Sequence, residues 1–347
     1  MELEAVKAYL KAYDGPELSI MEVCGSHTAA IAENGIPGLL SPKLSLVSGP
    51  GCPVCVTPSA YIDRLTALAL EEGVTVVTFG DLLRVPGSSR SLGMAQGEGA
   101  RVEMVYSPMD VIALAKKEPK RQFVFAAVGF ETTTPVYALL VQALTEEGVE
   151  NVRLLTALKT MPPVIDYLCA NGAPVQGFLA PGHVCAVTGS KIFAGLAESY
   201  RVPFGVSGFG AEEILIALYG LVKMCESGRA EVRNFYPSVV TEDGNLKAKA
   251  LVEKYFTETD AAWRGIGRIE RSGLVLREEY SRYDAGSLGL DEDQKKNQAC
   301  CCDRVLMGRM RAQECPLFKT VCSPMNPQGA CMVSTEGACF SYYMRGA

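Results

Sequence analysis

The chain has 347 residues, enough for two or three domains, and its 48% hydrophobic and 21% charged content is that of an ordinary globular protein. A net charge of −6, with no basic stripe, speaks against a nucleic-acid or anionic-membrane partner. No apolar run approaches the ~18–20 residues that a bilayer crossing needs, and the charged opening MELEAVKAYLKAYDG has no signal-peptide pattern. A cytoplasmic location is therefore expected, where the thirteen cysteines stay reduced and form no disulfide framework.

In chain order, eight β-rich runs alternate with helical stretches: LSIMEV (18–23), LSLVSG (44–49), VTVVTF (74–79), RVEMVY (101–106), QFVFAAV (122–128), VRLLTAL (152–158), VQGFLA (175–180) and PFGVSG (203–208). SAYIDRLTALALEEG (59–73) and PVYALLVQALTEEG (135–148) read as helices between them. Near-continuous apolar runs suit parallel strands covered on both faces. The alternation predicts an α/β fold with two similar doubly wound parallel-sheet domains. The break at Glu118-Pro119 divides them as 18–119 and 120–235. After a long helix, AEEILIALYGLVKMCESG, the texture turns polar and less periodic. Residues 236–347, joined by 1–17, read as a third, smaller Cys-rich domain.

Each motif follows a strand, where doubly wound folds place their ligands. Cys24 and His27 lie in VCGSHT after the first run, Cys52 and Cys55 in GPGCPVC after the second, and Glu131 in GFETTTP after the fifth. His183 lies in APGHV after the seventh. A Cys-x-x-Cys step turns two sulfurs to one point, so the pair can bridge or chelate, and a helix starting near Pro58 lowers the thiol pKa. Half a zinc site is the plainer reading of that pair, a small buried hydrophobe that of Cys24, and a hydrogen-bonded loop residue that of His27. If Cys24, Cys52 and Cys55 meet, three soft thiolates suit Fe(II) or Zn(II) with an open position. Glu131 at the cleft reads as a proton carrier, and His183 as either a helix-start or a site residue.

Seven cysteines fall in the last 48 residues. Cys300, Cys315, Cys322 and Cys339 form a loop-rich quartet without tight knuckles, which favours a [4Fe–4S] cluster over Zn(Cys)4. The chain lacks GxSxG, Walker A and GxGxxG signatures, so nothing indicates a nucleotide or serine-hydrolase site.

VCGSHT, GPGCPVCVTP, GDLLRVPGS, GFETTTP, APGHV, WRGIGRI and GACMVSTEGAC occur in this order across nearly the whole chain, and together they resemble the hydrogenase maturation factor HypD family. The resemblance implies a three-domain scaffold and redox protein of [NiFe]-hydrogenase assembly. It implies Fe(II) carried as Fe(CN)2CO at Cys24, Cys52 and Cys55 with His27 beside them, and a [4Fe–4S] cluster at Cys300, Cys315, Cys322 and Cys339. Glu131 and His183 fall on the family's cleft positions. The implied partners are a HypC-type chaperone, HypE as cyanide donor, and the hydrogenase large-subunit precursor. The sequence departs from the family at Gly208-Phe209-Gly210-Ala211, where Gly-Phe-Glu-Pro is usual, so a carboxylate is lost from the cleft rim unless Glu212 or Glu213 replaces it. It also departs at Cys300-Cys301-Cys302-Asp303, which leaves the first cluster ligand open between Cys300 and Cys302. The rival reading is a stand-alone iron–sulfur dithiol/disulfide oxidoreductase, which needs the dithiol and the tail but not Cys24 or His27. A zinc-stabilised interaction protein is a third.

Overall fold

The computed structural model describes residues 2–294 and 297–345. Eleven strands occur among them: β1 Leu18–Glu22, β2 Leu44–Ser48, β3 Val74–Thr78, β4 Val102–Met104, β5 Gln122–Gly129, β6 Val152–Lys159, β7 Gly177–Pro181, β8 Phe204–Ser207, β9 Val232–Asn234, β10 Phe256–Trp263 and β11 Gly267–Leu276. All eight apolar runs of the sequence hold a strand. In β5 every residue but Gln122 is buried, as expected of a central strand covered on both faces.

The strands form two sheets. One is wholly parallel, in the order β2-β1-β7-β8-β9; the other runs β10-β11-β6-β5-β3-β4. In the second, β6, β5, β3 and β4 are parallel, and β11 pairs antiparallel with both β6 and β10.

The sheets do not follow the division expected at residue 119. β3 and β4 leave β1 and β2 and pair beside β5, while β7 returns to β1. Parallel strands need long crossovers, and sequence order alone does not say which neighbour a crossover reaches. The 236–347 grouping differs as well, because β10 and β11 extend the second sheet. The N-terminal helix Leu3–Ala12 packs instead on the helix Ala211–Glu226 of the first sheet: the Tyr9 and Tyr219 rings meet at 4.9 Å, and the Tyr9 hydroxyl donates to Glu226 at 2.7 Å.

Only the tail, 297–345, is irregular, with the short helices Cys302–Leu306 and Ala338–Arg345. It is not a separate lobe. One apolar core joins Phe178, Phe193 and Phe204 of the first sheet to Cys52 and Cys55 and on to Cys331, Cys339 and Tyr342 of the tail. The three phenylalanine rings stack at 4.9 and 5.2 Å, each burying roughly 150–250 Å². Among the described residues no helix is long and apolar enough to cross a membrane.

Candidate functional site

Parallel strands end on one edge, so the loops after β1, β2, β7 and β8 gather there. Cys24 follows β1 and begins the turn into the helix Gly25–Glu33. Gly51 follows β2 and lies so close that a Cβ on it would sit 2.2 Å from the Cys24 nitrogen. The Gly25 N–H donates to the Gly51 carbonyl at 2.9 Å. Glycine alone permits this approach, and it brings Cys24 to the turn that carries Cys52 and Cys55.

From the β7 loop, His183 places Nε2 3.7 Å from the Cys24 sulfur. His27 Nε2 donates to the Gly208 carbonyl at 2.9 Å, which leaves its buried Nδ1 unprotonated and without a hydrogen-bond partner. The Phe209 ring lies between the two imidazoles, 4.7 Å from His27 and 4.8 Å from His183. Burial holds both histidines down to about 4, so both are neutral at pH 7. Burial likewise pushes the Cys24 thiol up to about 12, so it stays protonated until a cation draws it.

Cys52 and Cys55 are joined by a disulfide, with Cα atoms 5.2 Å apart. This corrects the expectation of thirteen reduced thiols; the other eleven cysteines form no disulfide. While bridged, the pair offers no thiolate, and among the described residues no group of three His, Cys, Asp or Glu is arranged to hold a metal ion.

The Cys55 sulfur faces the tail, 4.0 Å from the Ala330 carbonyl. On either side of Ala330 the chain meets the tail sulfurs. A Cβ on Gly329 would sit 2.5 Å from Cys302 Sγ and 2.8 Å from Cys300 Sγ. Cys302 in turn bonds Cys300 (Sγ to Sγ 3.2 Å), Cys331 and Cys339. Hydrogen bonding to Cys300 and Cys331, with burial, holds the Cys302 thiol well up. Cys300, Cys302, Cys315, Cys322 and Cys339 line one cavity with Gly329, so the whole expected quartet is gathered there. The Gln328 N–H donates to Cys322 Sγ at 3.4 Å. Soft sulfur donors around a cavity, a glycine that leaves room, and an N–H aimed at a sulfur fit an iron–sulfur cluster.

The HypD family pattern, described as the Hydrogenase formation hypA family, matches residues 3–346. The chain belongs to this family. It is 41% identical to the hydrogenase maturation factor HypD of Azotobacter vinelandii, over 94% of this chain and 89% of that protein. It is 38% identical to the factor of the same name from Cupriavidus necator, over 97% and 92%. A putative hydrogenase expression/formation protein of Methanocaldococcus jannaschii is 40% identical over 94% and 92%.

Gly210 stands where the resemblance leads one to expect a carboxylate, and a carboxylate lies close by. Glu213, one turn into the next helix, accepts from the Gly210 N–H at 3.0 Å, and its carboxylate lies over Gly208. Glu131 takes a different place from the Cys24 group. It lies at the end of β5, Oε1 accepting from the Met161 N–H at 2.7 Å while Oε2 is buried without a partner. Burial raises it to about 7. It lines a groove with Thr160, Lys249 and Arg271, and its hydrogen bond goes to neither histidine. Two hydroxyls of the turn after β1 reach carboxylates: Thr28 donates to Glu22, and Ser26 donates to Glu336 at 3.1 Å.

Sequence reasoning missed Glu22 and Glu336. Glu22 is 2% exposed, accepts from the Cys24 N–H at 3.0 Å, and is pushed up to about 8 by burial. Its signal was available: a single carboxylate in the apolar run LSIMEV. Glu336 came with no signal, since only folding brings the tail onto Gly25.

Proposed function

We propose that this chain holds Fe(II) while two cyanides and one carbon monoxide are attached, and passes the Fe(CN)2CO unit toward a hydrogenase large-subunit precursor. A HypC-type chaperone and the cyanide donor HypE are its partners, in the cytoplasm. Family membership and the names of the relatives support a hydrogenase-maturation role. One observation carries the finer reading: Cys24, His183 and the Cys52–Cys55 pair share one sheet edge, and the tail sulfurs abut the pair through Ala330.

The cargo iron is held by Cys24, Cys52 and Cys55. Opening the bridge takes two electrons and two protons and yields two thiols. Iron binding then displaces thiol protons, and neutral His183 is the acceptor at hand for that of Cys24. Thiolates tolerate strong-field cyanide and carbonyl co-ligands, and the apolar surround keeps water from the product. His27 and Phe209 fix the far wall. Cys315, Cys322, Cys339 and either Cys300 or Cys302 hold the [4Fe–4S] cluster. When bound, the cluster supplies one-electron redox chemistry beside the dithiol.

Infrared spectra of protein purified without oxygen together with its chaperone test this. Cyanide and carbonyl stretches are expected from the unaltered chain and absent from Cys24→Ala; bands that persist in Cys24→Ala sink the iron-carrier reading. The closed bridge favours a second reading, a stand-alone iron–sulfur dithiol/disulfide oxidoreductase. That reading requires reduction of partner disulfides at an undiminished rate in Cys24→Ala, and it leaves the contact of Cys24 with His183 without a use.

A further inference from the structure

Cys24 is only 3% exposed, and the tail segment 334–337 lies over its neighbour Gly25. Glu336 packs directly on Gly25: a Cβ there would come within 2.4 Å of the Glu336 Cβ and 2.5 Å of its carbonyl oxygen. Two side-chain bonds hold the segment down. Ser26 donates to Glu336 Oε1 at 3.1 Å, and Ser334 donates to Asp81 Oδ2 at 3.1 Å. The first ties it to the turn after β1, the second to the 3₁₀ turn Gly80–Arg84 after β3.

The segment's two ends are also placed. Cys331 precedes it and Cys339 follows it, and both sulfurs bond Cys302. At Gly337 a Cβ would sit 2.3 Å from the Cys331 carbonyl, so the chain doubles back tightly between the two cysteines. A seven-residue connection pinned at both ends by one sulfur group moves with that group. Its middle rests on Gly25, next to Cys24, and is tied down by the two side-chain hydrogen bonds to Ser26 and Asp81.

We propose that residues 334–337 form a lid on the Cys24 thiol, opening to admit and release the iron, and that the tail sulfurs set its position. The purpose given to the lid rests on the iron-carrier reading, but its existence does not. Opening needs no strand to move: the two bonds break, Glu336 and Ser334 turn to water, and Cys24 is exposed beside His183. When a metal group engages Cys339, the end of the segment that follows the lid is fixed and the lid is held down.

Alkylation of the folded, full-length protein by N-ethylmaleimide, followed cysteine by cysteine by mass spectrometry, tests this. The Ser26→Ala/Ser334→Ala double variant removes both bonds without altering charge near the thiol. Labelling of Cys24 is expected to rise about tenfold, as two lost hydrogen bonds allow, while Cys185, fully buried in the helix Gly182–Thr188 after β7, stays protected. Unchanged labelling of Cys24, or a parallel rise at Cys185, overturns the lid. Should the double variant not fold, Glu336→Ala, which removes the acceptor for Ser26, is labelled in its place with the same two outcomes. Protein reconstituted with iron and sulfide is expected to label more slowly at Cys24 than untreated protein; equal rates overturn the link to the tail sulfurs. None of these readings uses cyanide or carbonyl bands, so failure of the lid and failure of the iron carrier are told apart.

Discussion

The sulfur of Cys55 lies 4.0 Å from the carbonyl oxygen of Ala330, 275 positions along the chain, so the Cys-x-x-Cys pair and the cysteine-rich tail share one wall. Gly329 makes that wall possible. An added methyl group would meet Cys302 Sγ at 2.5 Å and Cys300 Sγ at 2.8 Å, below any contact that real side chains make. Gly329→Ala is therefore expected to cost about 1–3 kcal/mol through overpacking and to lose bound iron and sulfide on reconstitution. Gly38→Ala, where nothing lies within 4 Å, is the comparison that should retain both. Metal and sulfide analysis checks it, and full retention in Gly329→Ala would remove the tail cavity as the cluster's seat.

Glu131 gives a pH signature. Its carboxyl is raised from 4.5 to about 7, burial being the main cause. Below pH 4.5 it is protonated folded or unfolded and the shift has no effect. As pH rises toward 7 the unfolded chain ionises first, so stability falls across that window and levels off above it. The loss is at most about 3 kcal/mol. Urea unfolding at several pH values should show this slope, and Glu131→Gln, which keeps the acceptor for the Met161 N–H, should flatten it between pH 4.5 and 7.

Lys159 acts in the window above. Its Nζ donates to the Ala262 carbonyl at 2.6 Å and faces the Trp263 ring at 5.4 Å, with no carboxylate in ion-pair contact, and burial lowers it from 10.5 to about 7. Above pH 10.5 it is neutral in both states. As pH falls toward 7 the unfolded chain takes the proton first, so stability drops across pH 10.5 to 7 and stays low below, by up to about 5 kcal/mol. Lys159→Met should abolish this slope and raise stability at neutral pH, as apolar replacement of a poorly paired buried charge does. A slope that persists in the variant would assign it to another group.

Much of this was legible in the sequence, and the reasons for the rest are specific. Every apolar run contained its strand because parallel strands buried on both faces advertise themselves. β10 and β11 were read through as polar texture, since their solvent face is charged, although WRGIGRI held the hairpin turn: Gly265 and Gly267 have φ of 74° and 115°, a glycine-only signal. Pairing of strands across crossovers left no trace in the sequence, which is why β3 and β4 were grouped with β1. At the site, the strand-end rule brought Cys24, His27, Cys52, Cys55 and His183 to one edge. It could not tell that Glu131, at the edge of the other sheet, faces a separate groove. Nor could spacing show that Cys302 would sit among Cys300, Cys331 and Cys339.

Glu213 lies three positions after Gly210, where the resemblance leads one to expect a carboxylate. It both caps the helix Ala211–Glu226 at the Gly210 N–H and covers Gly208, whose carbonyl receives the His27 proton. Glu213→Ala should cost about 0.5–2 kcal/mol as a lost cap and first-turn charge, read by thermal or urea unfolding. Glu212→Ala, on the outer face of the same turn, should leave stability within about 0.5 kcal/mol of the parent. If the two substitutions cost the same, Glu213 does not stand in for the missing residue.

Gly51 carries the convergence of Cys24 with the Cys52–Cys55 turn. A methyl group on it would fall 2.2 Å from the Cys24 nitrogen and 2.4 Å from its Cα, and both are backbone atoms with no rotamer to yield. Gly51→Ala must push the β2 loop off the β1 loop and break the bond from the Gly25 N–H to the Gly51 carbonyl. The tail cavity lies on the other side of the Cys55 sulfur and shares no atom with this contact. The variant should therefore keep its iron–sulfur content while losing the cyanide and carbonyl stretches of the assembled unit. Loss of both would mean general unfolding, checked by circular dichroism. Retention of the infrared bands would mean that the iron does not require Cys24 beside the Cys-x-x-Cys turn, and the three-sulfur carrier would have to be abandoned.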